Sequence, residues 1–308
     1  MLARPRIERF DVSDEHHGVL PALVLAPPEL GSDVPVCLFL YGGGGNVETL
    51  LSLEPLLGQA WRERSLPALI VACLAVPPFC FYLDAPTLGM HWQHAVSQGL
   101  LRAVRTRFAA EASTTRAGLV GVSMGGYGAL KIAFAEPRHF SSVAVVAPML
   151  EPSECAAAVP LRNRYHYPEQ VPAPLLGPAR DAALFATDHP ISRARCNATE
   201  ILSAQLAIRI DAGSRDALYA HDGAEALHRE LWRLDIPHEY LLLRDADHVG
   251  PTLAPRLLEA FRWVATHTPP PQIDASAEER ALREYLAPLH AAARERDPSL
   301  ARTYGLLR

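Results

Sequence analysis

Short apolar runs alternate with longer amphipathic stretches along most of the chain. Near-continuous runs of Val, Ile and Leu are typical of parallel strands that are covered on both faces. Between them, apolar residues recur at helical spacing, as in Trp92, Val96, Leu100, Val104 and Phe108. The pattern predicts an α/β protein with a doubly wound, mostly parallel sheet flanked by helices. The six predicted central strands are residues 36–41, 68–74, 117–122, 142–147, 205–210 and 238–243.

Two segments outside the central alternation have their own patterns. Residues 7–12 and 19–25 precede the first central strand and predict an antiparallel hairpin. Residues 151–197 follow the fourth central strand and contain many prolines with no clean period. A long irregular segment inside a compact domain is often a lid or a binding loop, so we expect a lid-like insertion here.

The C-terminal segment begins with three consecutive prolines at 269–271. Ser276 and Glu279 then form a capping-box pattern that predicts the start of a helix. Pro288 should kink this helix or split it in two. We therefore expect one large domain over residues 1–269 and a helical appendage over 270–308, either packed on the domain or used in contact between copies of the chain.

Composition narrows the range of partners. The chain has 308 residues and a net charge of −5, and this mild acidity disfavours nucleic acid as a partner. The N-terminal decapeptide MLARPRIERF lacks the apolar stretch of a signal peptide, and no window approaches the ~18 apolar residues of a membrane span. A cytoplasmic protein with no membrane contact is the resulting prediction. Five cysteines without a CxxC pair argue against a disulfide framework or a zinc knuckle.

The strongest chemical signal is the pentapeptide Gly121-Val122-Ser123-Met124-Gly125. It follows a predicted strand and opens a predicted helix, which is the context that a G-x-S-x-G nucleophile elbow requires. The turn is tight, so the residues two before and two after the serine must lack bulk. The serine would stand at a helix N-terminus, where developing negative charge is favoured. The alternative is an ordinary glycine turn with a capping serine.

A glycine-rich loop, Tyr41-Gly42-Gly43-Gly44-Gly45-Asn46, directly follows the first central strand. Such a loop can supply one backbone N–H of an oxyanion hole, while the residue after the nucleophile supplies the other. We assign these groups to Gly43 and Met124, with Gly44 as the alternative to Gly43. A phosphate loop is disfavoured because no G-K-[ST] follows. A flexible turn without chemistry is the remaining alternative.

A general base and its carboxylate are expected on the loops after the last two strands. His248 follows the last central strand, and the order Ser, Asp, His is the one this kind of elbow uses. Asp211 and Asp216 both follow the preceding strand. We prefer Asp216, because a loop position can bring its carboxylate to the base. The lower-ranked alternatives are Asp222, Asp245 and Asp247.

Two histidine pairs, His16-His17 and His91 with His94, could suggest a metal site. They lack the i, i+4 spacing and the glutamate of the H-E-x-x-H zinc motif. We therefore expect neither metal catalysis nor any other cofactor.

Further segments carry a resemblance to a known family. The glycine-rich loop is followed by Phe81-Tyr82-Leu83-Asp84 and by a helix at Trp92. The elbow continues as Gly126-Tyr127-Gly128-Ala129-Leu130, and residues 213–216 and 236–240 are similar to the family's acid loop and its next strand. Over residues 35–266 the chain resembles the putative esterase family. This family includes esterase D (S-formylglutathione hydrolase), the feruloyl and enterochelin esterases and the antigen 85 mycolyltransferases.

The resemblance implies the α/β-hydrolase fold, with an insertion after the fourth central strand. It implies a catalytic triad of Ser123, Asp216 and His248, and it places Gly43 and Met124 at the oxyanion hole. The expected activity is hydrolysis of a small-molecule carboxylic ester through an acyl-serine intermediate. A thioesterase or an acyltransferase that uses the same triad is one alternative, and a catalytically silent scaffold that binds a ligand or partner is another.

The substrate pocket is expected to be lined partly by aromatic side chains. The candidate substrate-binding residues are Tyr41, Phe81, Tyr82 and Trp92. The expected wall is formed by residues 79–84 together with the 151–197 insertion, which supplies a polar and aromatic set. The members of that set are Arg162, Arg164, Tyr165, His166 and Tyr167.

Overall fold

The computed structural model describes residues 4–109, 112, 116–163, 182–268 and 276–296. Eight strands of this part form one sheet and two short strands form a second. The strands are β1 (Arg6–Asp14), β2 (Gly18–Ala26), β3 (Val36–Leu40), β4 (Ile70–Leu74), β5 (Asp84–Ala85), β6 (Met90–His91), β7 (Ala117–Val122), β8 (Phe140–Val146), β9 (Ala207–Gly213) and β10 (Glu239–Leu243).

The order of strands in the large sheet is β1-β2-β4-β3-β7-β8-β9-β10. In the large sheet, each of the six strands β4, β3, β7, β8, β9 and β10 is parallel to its neighbour in this order. The strands β1 and β2 are antiparallel to each other, and β2 is antiparallel to β4. The predicted hairpin and the predicted mostly parallel sheet are therefore confirmed. The carboxyl ends of the parallel strands meet at one edge, where ligands bind in sheets of this kind.

Helices cover both faces of the sheet. Gly118 and Gly121 lie three residues apart on β7, so they point to opposite faces. A side chain at Gly118 would meet Val264 of one helix, and a side chain at Gly121 would meet the backbone at Gly125 of another. The helices are α1 (Glu48–Leu51), α2 (Glu54–Arg62), α3 (Trp92–His94), α4 (Leu101–Arg107), α5 (Met124–Ala135), α6 (Ala182–Asp188), α7 (Pro190–Cys196), α8 (Ala198–Ser203), α9 (Ala220–Arg233), α10 (Leu253–Thr266) and α11 (Ala277–Arg296).

Burial follows the hydrophobic pattern of the strands. Every residue of β3, β4, β7 and β8 is buried, as expected for central strands with helices on both sides. The edge strand β1 instead alternates between exposed and partly buried residues. The helix predicted from Trp92 onward is continuous, because a π-helical stretch (Ala95–Leu100) joins α3 to α4.

Part of the predicted irregular insertion is helical. Residues 182–196 form α6 and α7, and the expectation of irregular structure was wrong there. Each helix has only seven residues, too few for a helical period to stand out. His189 separates the two and caps α7, with Pro190 in the first turn. Arg164, Tyr165, His166 and Tyr167 lie outside the described residues.

The buried Asp188 holds the end of α6 against the nucleophile helix α5. Its carboxylate lies 3.2 Å from Lys131 Nζ, and the Lys131 side chain is fully buried. Arg193 of α7 contacts the same carboxylate at 3.2 Å. Burial lowers the pKa of Lys131, although the charge of Asp188 opposes that effect. The insertion is thereby attached to the helix that begins at the candidate nucleophile.

The C-terminal segment contains the predicted helix, α11. The Ser276 hydroxyl accepts a hydrogen bond from the Glu279 N–H at 3.1 Å, as the capping-box pattern requires. The helix continues through Pro288 instead of splitting there. Leu282, Tyr285 and Leu289 are exposed on it, so its use in contact between copies stays a prediction. Within the described ranges, no helix combines the length and the apolar character of a membrane span.

Candidate active site

Ser123 sits on a strained turn between β7 and α5. Its backbone has φ 54° and ψ −119°, in a region that residues with a side chain rarely adopt. The two flanking glycines make this turn possible. A Cβ at Gly121 would overlap the Gly125 carbonyl, and a Cβ at Gly125 would overlap the Leu40 carbonyl. The serine hydroxyl therefore stands at the N-terminus of α5, at the carboxyl edge of the sheet.

A chain of hydrogen bonds connects Ser123 to two other predicted residues. The Ser123 Oγ lies 2.9 Å from His248 Nε2, and His248 Nδ1 lies 2.7 Å from Asp216 Oδ2. His248 and Asp216 are both buried. The structure thus brings together three side chains that are separated by up to 125 positions in the sequence.

The environment of Asp216 favours its ionised form. Burial acts to raise the pKa of Asp216, but the hydrogen bond and charge of His248 outweigh it, helped by the backbone N–H groups of Leu218 and Ala220. The net effect is a pKa below the ordinary value for an aspartate. The Leu218 N–H donates to Asp216 Oδ1 at 2.8 Å and so fixes the carboxylate. A carboxylate in this state can orient an imidazole and stabilise its protonated form.

The alternative carboxylates have other partners. Asp211 lies within β9 and accepts a hydrogen bond from Arg256 Nε at 2.7 Å. Asp222 pairs with Arg162. Asp245 is exposed and lies 3.9 Å from Arg215. Asp247 is adjacent to His248 in sequence, and its carbonyl oxygen accepts from Arg256. Among the carboxylates weighed from the sequence, only Asp216 is bonded to His248 in the described structure.

The glycine-rich loop lies beside the nucleophile. Gly43 and Met124 both line a cavity that also contains Ser123. Within the described residues, neither backbone N–H finds a hydrogen-bond acceptor. Gly44, the alternative donor, adopts φ 75° and does not line that cavity. Two free N–H groups next to a serine hydroxyl can receive a developing oxyanion.

The cavity at Ser123 has a volume of about 380 Å³ and is lined mainly by apolar side chains. Of the four candidate substrate-binding residues, Phe81 alone lines it. Sequence reasoning missed most of the other side chains, because they come from separate loops that only the fold brings together. The missed lining residues are Thr49, Met149, Leu218, Val249 and Leu253, while Phe79 had been predicted only as part of the 79–84 wall.

The other three candidate residues have structural contacts instead. Tyr41 is fully buried, and its hydroxyl donates to the Val76 carbonyl at 3.0 Å and accepts from the Val76 N–H at 2.7 Å. Tyr82 is also buried, and its hydroxyl donates to the Tyr41 carbonyl at 3.2 Å. Trp92 stacks on His17 with ring centroids 3.7 Å apart. Placing these three in the substrate pocket was therefore a mistake.

The described part of the insertion contributes no side chain to the cavity wall. None of residues 151–163 and 182–197 lines it. Arg162, which was expected on the pocket wall, pairs with Asp222 at 2.7 Å and stacks over Tyr219. The guanidinium group therefore supports the loop after Asp216 instead of facing Ser123.

The two histidine pairs that the sequence separates lie together at the surface. His16 stacks on His91 with ring centroids 3.7 Å apart, and Glu15 lies 3.3 Å from His16 and 3.6 Å from His94. The β1–β2 turn thereby packs on the β5–β6 hairpin. Across the described part of the chain, no cluster of histidine, cysteine or carboxylate side chains has the arrangement of a metal site.

Comparison with known families gives this site its context. Residues 80–240 match a family model described as "Putative esterase". The match covers more than half of the chain. The chain belongs to the putative esterase family. As a member of this family it is a carboxylic ester hydrolase, and the predicted resemblance is confirmed. The comparison with curated protein sequences finds no match.

Solved structures of other esterases share the fold of this family member. A ferulic acid esterase superimposes with a TM-score of 0.67 at 14% identity, covering 85% of this chain and 98% of that one. An S-formylglutathione hydrolase from Agrobacterium tumefaciens gives 0.65 at 21% identity, with 86% and 96% covered. A fluorophosphonate-binding serine hydrolase from Staphylococcus aureus gives 0.65 at 14% identity, with 85% and 99% covered. These similarities establish the α/β-hydrolase fold that the sequence predicted.

Proposed function

We propose that this esterase cleaves its substrate by nucleophilic catalysis, with Ser123 as the nucleophile, His248 as the general base and Asp216 as the orienting carboxylate. The observation that carries the proposal is the unbroken chain of hydrogen bonds from Asp216 through His248 to Ser123. A nucleophile held by a base, which is held in turn by a third group, is the recurring arrangement in covalent catalysis.

The reaction proceeds in two steps. His248 Nε2 takes the Ser123 proton while Oγ forms a bond to the ester carbonyl carbon. The negative charge on the carbonyl oxygen is stabilised by the N–H groups of Gly43 and Met124. The tetrahedral intermediate collapses, the alcohol leaves with the proton from His248, and an acyl-serine remains. Water then gives a proton to His248 and attacks the acyl carbon. The bond from this carbon to Oγ breaks, His248 returns the proton to Ser123, and the carboxylic acid leaves.

Asp216 stays ionised throughout these steps. It holds His248 Nδ1 so that Nε2 faces the serine, and it stabilises the imidazolium that forms during each proton transfer. The pKa of Asp216, which lies below its ordinary value, agrees with this role.

Thioester cleavage by the same residues is a second candidate. The observation that favours it is the structural similarity to an S-formylglutathione hydrolase. The acyl-serine would form in the same way, with a thiol in place of the alcohol as leaving group. Ester and thioester substrates with identical acyl groups would separate the two activities by their values of kcat/KM.

Hydrolysis of p-nitrophenyl butyrate by the wild type and by Ser123→Ala tests the proposal. The matched control is Ser203→Ala, which removes the same hydroxyl from an exposed position on α8. We expect the Ser123 variant to lose activity by at least ~10⁴-fold and the control to keep it. Equal activity in the two variants would reject the nucleophile, and a wild type that neither hydrolyses esters nor reacts with a fluorophosphonate would support a silent scaffold.

A further inference from the structure

A short aromatic segment beside the active site has an unusual backbone. Phe79, Phe81 and Tyr82 adopt φ values of 57°, 49° and 53°. Bulky residues rarely occupy this left-handed region, and three of them within four positions are held there only by the surrounding structure. Such strained backbone is concentrated at functional sites. The segment formed by residues 79–82 is therefore a candidate for a role in the reaction.

Glycines on two sides make room for this segment. A Cβ at Gly43 would lie 2.6 Å from the Phe79 ring, so the ring rests against the glycine-rich loop. A Cβ at Gly128 would lie 2.5 Å from the Tyr82 ring, so that ring rests against the nucleophile helix. The Phe81 ring packs edge-on against Tyr127 of the same helix, with centroids 5.5 Å apart. The segment is thus fixed between the two structures that supply the candidate oxyanion donors.

The two phenylalanine rings form part of the cavity wall. They line it together with other apolar side chains, and its volume of about 380 Å³ is near the small end for ligand pockets. Among the described residues, no Lys, Arg, Asp or Glu side chain lines the cavity. A charged group held against this apolar wall, away from Ser123, would lose hydration without gaining a charged partner. The other apolar lining residues are Val122, Met124, Met149, Leu218, Val249 and Leu253.

We propose that Phe79 and Phe81 determine the acyl specificity of this esterase, and that its substrates are esters with a compact, uncharged, apolar acyl group. The inference rests on the proposed function, because the acyl group is located by its bond to Ser123. The Phe79 ring packs against Gly43 and the Phe81 ring against Tyr127, so together they limit the length of the acyl chain that fits. Because no charged side chain of the described residues lines the cavity, we expect acyl groups that carry a carboxylate to be poor substrates.

The experiment measures kcat/KM for p-nitrophenyl acetate, butyrate, hexanoate and octanoate, and for the anionic p-nitrophenyl hemisuccinate. The proteins are the wild type, Phe79→Ala, Phe81→Ala and the milder variants Phe79→Leu and Phe81→Leu. Phe39→Leu is the matched control, since Phe39 is a buried ring that packs on Phe261 and does not line the cavity. Melting temperatures verify that each variant is folded.

We expect the wild type to favour butyrate or hexanoate over octanoate by about 10-fold, since a single methylene can change discrimination by ~10-fold or more. The hemisuccinate should be slower than butyrate by at least ~10-fold. The phenylalanine variants should raise the octanoate-to-butyrate ratio by about 10-fold, and the control should leave it unchanged. If an alanine variant does not fold, the corresponding leucine variant must also raise the octanoate-to-butyrate ratio.

An unchanged ratio in the folded variants at both positions, with an active wild type, would overturn the inference and leave the proposed function intact. Efficient cleavage of the hemisuccinate by the wild type would also overturn it. A wild type that hydrolyses none of the esters would instead reject the proposed function, and this inference with it.

Discussion

Two buried aspartates at the end of β9 differ in their partners and in their roles. Asp211 lies within the strand and pairs with Arg256, whereas Asp216 lies in the loop five residues later and is bonded to His248. Burial raises the pKa of Asp211 even though Arg256 opposes it. The pKa of Asp216 is shifted the other way, because its hydrogen bonds outweigh the effect of burial. Burial alone therefore does not identify the carboxylate that works with the base.

Asp211 is connected to the loop of His248 through Arg256 and a backbone carbonyl. Arg256, which is held by Asp211, also donates from Nη1 to the Asp247 carbonyl at 2.6 Å. Asp247 directly precedes His248, so this ion pair supports the loop that carries the base. Asp216 contacts the imidazole itself. The comparison separates a residue that would act in the reaction from a residue that holds the framework in place.

The largest expected difference is in activity. Asp216→Asn should lower kcat by about 10²- to 10⁴-fold, because an amide at this position favours the wrong imidazole tautomer. The same substitution at Asp211 should change kcat by less than ~10-fold. Steady-state kinetics with p-nitrophenyl butyrate measures both. Equal losses of kcat in the two variants would show that Asp216 has no larger role in the reaction than Asp211.

The next largest difference is in stability, and there the order of the two aspartates is reversed. Asp211→Ala should lower the free energy of unfolding by about 3 kcal/mol, since it removes the carboxyl group that accepts from the buried Arg256 side chain. Asp216→Ala should lower it by less, because no guanidinium group loses its partner there. Urea unfolding of both variants gives the numbers. A larger loss for the Asp216 variant would contradict the structural role of Asp211.

The two aspartates should also contribute to stability with opposite dependence on pH. The pKa of Asp216 is lower in the folded chain than in the unfolded one, so its contribution is present above the unfolded value of ~3.9 and is lost as the pH falls through the folded value. The pKa of Asp211 is raised on folding, so its contribution is present below ~3.9 and is lost as the pH rises through the folded value. Unfolding free energies of the wild type and the two asparagine variants between pH 3 and pH 6 would test these signs. Parallel curves for the two variants would refute them.

The smallest expected effect concerns the link between the two loops. The Ser214 hydroxyl lies between the two aspartates in sequence and accepts a hydrogen bond from the Asp245 N–H at 2.9 Å. Because this bond is exposed, Ser214→Ala should cost no more than about 1 kcal/mol of unfolding free energy. We expect kcat to stay within ~3-fold of the wild-type value. A loss comparable to that of Asp216→Asn would mean that this bond sets the position of the base.

The sequence predicted the parts of the site that depend on local backbone geometry. Gly121 and Gly125 predict the elbow because a Cβ at either position would overlap a backbone carbonyl group. The position of His248 after the last strand follows from the fold. The loop position of Asp216 distinguished it from Asp211, which the extended pairing of β9 with β10 places inside the strand.

The parts that the sequence did not predict depend on contacts between distant segments. Leu218 and Leu253 follow different strands, and no spacing in the sequence indicates that they share a cavity. Tyr41 was expected to bind substrate, but its hydroxyl is used by the Val76 backbone. The packing of His16 on His91 likewise joins two hairpins that only the folded sheet brings together.

The most direct test of the central claim is to trap the acyl-enzyme. The wild type is mixed with excess p-nitrophenyl butyrate, quenched with acid within milliseconds, and digested for mass spectrometry. We expect a butyryl adduct on the peptide that contains Ser123, absent from Ser123→Ala and accumulating more slowly in Asp216→Asn than in Asp211→Asn. An adduct on another residue, or full hydrolytic activity in Ser123→Ala, would show that Ser123 is not the nucleophile.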